Sequence, residues 1–117
     1  MCLRLKNVDD SSVEIELPWR KEIVSNVHGQ ITHGGILAAL IDLTGHLAIV
    51  AKTGVLPHRV ATIDMRVDYH RAATPGKLTA TGEVMNLGKK VSSVQVSVRD
   101  EKGSLMASGK GVYLITR

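Results

Sequence analysis

Apolar and polar positions change period twice along the 117-residue chain. Val13, Ile15 and Leu17 alternate with Glu14 and Glu16, a period of two that predicts a half-buried strand. Residues 2–6 are placed to pair with it across residues 7–12, whose Asn, Asp and Ser favour a turn. Pro18 stops the strand, residues 19–25 have room for a short helical turn, and residues 26–32 read as a loop. Residues 36–51 are then apolar almost throughout, and Thr32-His33-Gly34-Gly35 reads as the start of a helix capped by Thr32. Lys52 and Gly54 supply a C-terminal charge and a C′ glycine, and Pro57 keeps the helix from resuming.

Beyond Pro57 the period returns to two. Ala61, Ile63, Met65, Val67 and Tyr69 fall on one face, with Thr62, Asp64, Arg66, Asp68 and His70 on the other. Thr74-Pro75-Gly76-Lys77 is a turn signal, after which Leu78, Ala80, Gly82 and Val84 continue the alternation to Asn86-Leu87-Gly88. Val94, Val96 and Val98 alternate with polar neighbours as far as Asp100-Glu101-Lys102-Gly103, and residues 105–115 form a last strand weakened or bent by Gly109 and Gly111. The order is a hairpin, one buried helix and four strands in meander, with short turns that imply antiparallel pairing. There is no βαβ alternation, repeat or linker, so residues 1–117 read as one α+β domain. An antiparallel sheet curled around one long buried helix is the outline of the hotdog fold.

Composition narrows the partners. Apolar content of 44% and charged content of 22% are ordinary for a globular domain. A formal charge of +4 invites nucleic acid, but there is no Phe, and Trp19, Tyr69 and Tyr113 are the whole aromatic set. Without stacking platforms or a long basic run, the excess suits a small polyanionic ligand, and nucleic acid is not expected. Residues 1–7 lack the apolar stretch of a signal peptide. The run 36–51, interrupted by Asp42 and His46, is read as too short to cross a bilayer. One cysteine, Cys2, permits no internal disulfide, which suits a cytoplasmic location.

Within the helix, Ile36, Leu40, Leu43, Leu47 and Val50 form a stripe of large side chains expected to pack on the sheet. Gly35, Ala38, Ala39, Gly45 and His46 surround Asp42 on a thin face that a second backbone or a ligand can approach. A carboxylate there is costly unless paired or put to use. The bland account pairs it with His46 one turn on, or with a partner's backbone; the functional one makes it a nucleophile or base. The N–H groups at the helix start, behind His33-Gly34-Gly35, can hold an anion or a developing oxyanion, although a plain tight turn would look the same. Asp42 lies eight residues beyond Gly34, about 12 Å along the axis at ~1.5 Å per residue. One chain's Asp42 cannot easily attack a carbonyl polarised by the same chain's helix start. If they form one site, two antiparallel helices must meet through their thin faces, giving a C2 homodimer with two shared sites, or a dimer of such dimers. Asp42 with His46 offers two metal ligands and no obvious third, so no metal is expected.

Asn26, followed by His33-Gly34-Gly35-Ile36-Leu37-Ala38-Ala39-Leu40-Ile41-Asp42, resembles the signature of PaaI-like hotdog thioesterases. So do the stretch from Val60 to Tyr69 and Pro75-Gly76-Lys77-Leu78, and the likeness covers roughly residues 13 to 116. The resemblance implies hydrolysis of acyl-CoA thioesters at sites between subunits. Asp42 would be the nucleophile or the general base, and the Gly34 and Gly35 amides would polarise the carbonyl. His33 would support that loop, Asn26 would place the carbonyl or the water, and Thr62 falls near a position where relatives carry an assisting hydroxyl. Gly88-Lys89-Lys90 matches the family's Gly–basic pair for the coenzyme A phosphates; His70-Arg71 makes Arg71 a second candidate. Coenzyme A would enter as part of the substrate, with no other cofactor. Two alternatives are a non-catalytic acyl-CoA-binding hotdog protein, which has no use for Asp42, and a hotdog dehydratase, which needs a Pro-containing loop beside its His.

Overall fold

The computed structural model describes residues 4–8, 12–18, 34–71 and 76–116. β1 (Arg4–Val8) and β2 (Ser12–Leu17) form the expected antiparallel hairpin. Helix α1 (Gly34–Thr53) follows, then a 3₁₀ turn (Pro57–Arg59) and the strands β3 (Val60–Tyr69), β4 (Leu78–Leu87), β5 (Val91–Arg99) and β6 (Leu105–Ile115). All six strands join one antiparallel sheet in the order β1-β2-β4-β5-β6-β3, and α1 packs against β2 through β6. This is the hotdog fold. The possible helical turn at 19–25 and the loop at 26–32 lie outside the described residues.

Only β4, β5 and β6 form a meander. β3 pairs with β6 at the sheet edge, not with β4 as the simple four-strand meander requires. The connection from β3 to β4 must therefore pass two strands, about 14 Å at ~4.8 Å per spacing. Its ends are tied to the far end of the β5–β6 hairpin. The amides of His70 and Arg71 donate to Met106 O at 2.9 and 3.2 Å, and that of Lys77 to Glu101 Oε1 at 3.0 Å. The turn signal expected at residues 74–77 therefore does not join neighbouring strands; its Thr74 and Pro75 lie outside the described residues.

α1 ends where its sequence says it should. Gly54 adopts φ +73° and its N–H donates to Val50 O at 2.8 Å, closing the last turn through a backbone that favours glycine. The inward stripe, however, is Leu37, Leu40, Ile41, Thr44, Gly45, Ala48 and Ile49. Of the expected stripe only Leu40 is fully buried in it; Ile36, Leu47 and Val50 are half-buried and pack against the margin of the core, and Leu43 is half-buried. The sheet explains the choice. Its inner surface carries Ala80, Gly82, Ala107, Gly109 and Gly111, so the helix face with small members can settle closest. A Cβ on Gly82 would stand 3.0 Å from Thr44, and one on Gly109 3.0 Å from Ile41. The buried Thr44 hydroxyl is satisfied by Leu40 O at 2.6 Å. At 20 residues α1 also has the length and composition of a bilayer span, correcting the expectation drawn from the shorter run; here it lies against the sheet.

β3 does not present one continuous face. The register slips between Thr62, opposite Tyr113, and Asp64, opposite Val112, leaving Ile63 as a bulge that is 54% exposed. Val60 and Thr62 turn inward before the bulge; Met65, Val67 and Tyr69 turn inward after it. Ala61 and Ile63, expected on the core face, point out.

Candidate active site

Asp42 is half-buried on the flank of α1 that faces β3 and β6. Thr62 Oγ1 donates to its Oδ1 at 2.6 Å. The Tyr113 hydroxyl donates to the Asp42 carbonyl at 3.0 Å and lies 3.4 Å from Oδ1. Among the described residues Oδ2 accepts no hydrogen bond, so one carboxylate oxygen is anchored and the other remains for chemistry. Tyr113 is fully buried, and its ring occupies space left by Gly45 on α1 and Gly111 on β6; a Cβ at either would overlap the phenol. Burial, and after it the charge and hydrogen bond of Asp42, push the phenol above its ordinary range. It therefore acts as a donor at any working pH.

His46 does not pair with Asp42. Its Nε2 lies 2.9 Å from Pro57 O, which accepts only, so that nitrogen carries the proton. The ring satisfies a carbonyl of the 3₁₀ turn while the acid takes two hydroxyls from the sheet, which replaces the His46 account of the buried carboxylate.

The helix start is held independently. Tyr69 OH donates to Gly34 O at 2.9 Å, fixing the first residue of α1 against the end of β3. Gly34 is half-buried and Gly35 exposed, and neither carries a side chain to cover the first-turn amides. In this chain the acid and the helix start stay eight helical residues apart, about 12 Å. Asn26 and His33 lie outside the described residues.

The basic candidates do not meet. Gly88 N–H is already engaged by Val91 O at 3.1 Å and Ser92 Oγ at 3.0 Å, so this amide is not open to a phosphate as the turn glycine suggested. Lys89 and Lys90 line a cavity of about 420 Å³ with Leu114, Ile115 and Thr116. That cavity borders the start of β3, since Ile115 pairs with Val60 and Thr116 N donates to Arg59 O at 2.8 Å. Arg71 sits past the opposite end of β3, on the side of Tyr69 and Gly34. A separate apolar groove of about 220 Å³, lined by Leu5, Val8, Val13, Leu47, Val50 and Ala51, opens on the other flank of α1.

Sequence reasoning missed both tyrosines. A signal existed for Tyr113: Gly109 and Gly111 precede it at alternate positions, leaving one large inward side chain after two absent ones. The alternation of β3 groups Tyr69 with Met65 and Val67, but nothing in its spacing points to Gly34.

The family described as the thioesterase superfamily matches residues 29–107. The medium/long-chain acyl-CoA thioesterase YigI of Salmonella typhimurium is 27% identical over 126 residues, covering 97% of this chain and 81% of its own. An X-ray structure of a protein from the thioesterase superfamily superposes with a TM-score of 0.91 at 42% identity, over 97% of this chain and 84% of that one. A Shewanella oneidensis protein related to the same superfamily superposes at 0.84 and 33% identity, over 97% and 82%.

Proposed function

The chain belongs to the thioesterase superfamily, and from that premise we propose that it hydrolyses acyl-CoA thioesters at Asp42. The observation that carries this reading is the half-buried carboxylate, with Oδ1 held by the Thr62 hydroxyl at 2.6 Å and flanked by the Tyr113 hydroxyl at 3.4 Å, and Oδ2 left without a partner among the described residues. In hydrolysis an oxygen adds to the thioester carbonyl, an oxyanion forms, and the C–S bond breaks as the thiolate leaves and takes a proton. Asp42 either adds directly, giving an anhydride that water opens, or removes a proton from the attacking water. The first-turn amides at Gly34 and Gly35 are suited to the oxyanion. In this reading His33 supports that turn and Asn26 orients the carbonyl or the water.

In this reading Asp42 and the Gly34 turn are half-sites of one centre contributed by different chains, which makes the proposed enzyme a homodimer or a dimer of such dimers; the helical separation of the two supports it. Two further features support this. The outer edge of β3 is unpaired among the described residues along a ten-residue strand and exposes Ile63 at its bulge, an edge open to pairing with a second chain. Around Asp42 the outward surface of α1 is small, with Gly35, Ala38 and Ala39. Lys89 and Lys90 are the proposed contacts for the coenzyme A phosphates. The name of the Salmonella relative supports testing medium and long acyl chains first.

A thiol-release assay across acyl-CoA chain lengths tests the reading. Asp42→Ala is expected to lower turnover by at least about a hundredfold while the variant stays folded. Unchanged thiol release in a folded Asp42→Ala variant overturns the enzyme reading in favour of a binding protein, and loss of water from a hydroxyacyl thioester without thiol release favours a dehydratase.

A further inference from the structure

We propose that Tyr113 is a positioning residue for this reaction, its buried hydroxyl holding the backbone and the carboxylate of Asp42 together so that Oδ2 is presented in one direction. The inference rests on the reading of Asp42 as the reacting acid. Asp42 O, as a carbonyl in mid-helix, accepts from the helix's own i+4 amide, so the helix does not require a second donor there. Tyr113 adds one at 3.0 Å and reaches Oδ1 at 3.4 Å from the same oxygen. A side chain gripped at its root and at its tip has lost most of its freedom to turn.

The surroundings are shaped for that grip. At both Gly45 and Gly111 the three atoms nearest to a hypothetical Cβ all belong to the Tyr113 ring or hydroxyl. Glycine in mid-helix costs about 0.5–1 kcal/mol relative to alanine, and at Gly45 the feature occupying the vacated space is this phenol. Register supplies the rest. Thr62 and Tyr113 are direct cross-strand partners, both turned inward, so neighbouring strands deliver two hydroxyls side by side to one carboxylate oxygen. The bulge at Ile63 begins immediately afterwards and leaves that pair undisturbed.

A purely structural role would also satisfy a buried phenol, so the test must separate the two. Tyr113→Phe keeps the ring in its glycine-walled space and removes one oxygen. It is expected to lower kcat about tenfold with KM for acyl-CoA changed less than about twofold. Placed in the Asp42→Ala background, it should leave the residual turnover unchanged, because there is no carboxylate left to orient. Gly111→Ala, which displaces the phenol without removing it, should also lower kcat with KM held. An unchanged kcat in either folded variant overturns the proposal. So does a drop in the Asp42→Ala background as large as in the parent, which would mean that Tyr113 acts through the fold. If Asp42→Ala itself retains full turnover, it is the assignment of the acid that fails, a result separable from the others.

Discussion

Replacing Gly45 by Ala reverses the usual effect of this substitution. In an ordinary mid-helix position the change favours the helix by ~0.8–1 kcal/mol. At Gly45 the new methyl would overlap the Tyr113 hydroxyl, and the next ring atoms would lie 2.7 and 3.0 Å away. The phenol cannot simply swing aside, because it is fully buried and Gly111 leaves no more room than the ring already fills. Overpacking of this kind costs about 1–3 kcal/mol. Displacing the hydroxyl also forfeits its bond to Asp42 O, worth about 0.5–1.5 kcal/mol. Set against the helix gain, the net expectation is a destabilisation of about 2 kcal/mol, a fall in Tm of roughly 5–10 °C for a chain of this size. Urea and thermal unfolding at one fixed protein concentration measure it, because an oligomer's apparent stability depends on concentration. In a Tyr113→Phe background the nearest clashing atom is gone, so the same substitution should cost roughly 1 kcal/mol less. A Gly45→Ala variant as stable as the parent would refute the packing account of the tyrosine and its glycines.

Lys89→Ala and Lys90→Ala should each raise KM for an acyl-CoA by about three- to tenfold, an effect that weakens with added salt because the side chains are exposed. A truncated thioester without phosphates should show no change; equal effects on both substrates would remove these lysines from the coenzyme A site. Alkaline titration gives a third expectation. In a Tyr69→Phe variant the remaining phenol is Tyr113, whose folded-state value is raised above the ordinary ~10. Its contribution to stability is intact below pH ~10 and is lost as pH rises further, at up to ~1.4 kcal/mol per unit, because only the unfolded chain gives up the proton. Tyrosinate absorbance should therefore rise together with loss of far-ultraviolet ellipticity; phenolate formed in a still-folded protein contradicts the buried geometry.

The elements themselves were legible because their signals are local. Pro18, Gly54 and Pro57 punctuate the chain where strand and helix end, and Asp42 stands out against an apolar helix. What stayed hidden depends on fit between elements. α1 is apolar almost all round, so a helical wheel has little contrast with which to choose its inward face. The choice falls to Gly45, Gly109 and Gly111, whose value appears only when helix and sheet are opposed. Period-two reading carries the same face past Ile63, since one extra residue in a strand leaves no mark in composition yet exchanges every side chain beyond it. The pairing of β3 with β6 was likewise invisible, because a turn signal does not state how many strands its segment crosses. For the site, residue type and helical position gave Asp42, while Thr62 came only from the family resemblance and its contact with the acid was not legible; the His46 pairing failed because i+4 proximity competes with any nearby carbonyl.

The edge position of β3 also governs the order in which the chain can become safe. α1 is synthesised about fifty residues ahead of β6, the strand that both anchors β3 and supplies Tyr113. Until then a twenty-residue segment with the length and apolarity of a bilayer span has no completed sheet to lie on. Its cover consists of pairings between distant parts of the chain, β2 with β4 and β3 with β6, which are slow to close. During that interval the nascent helix is open to any other apolar surface, and variants that delay β6 should be lost to aggregation before they are lost to inactivity.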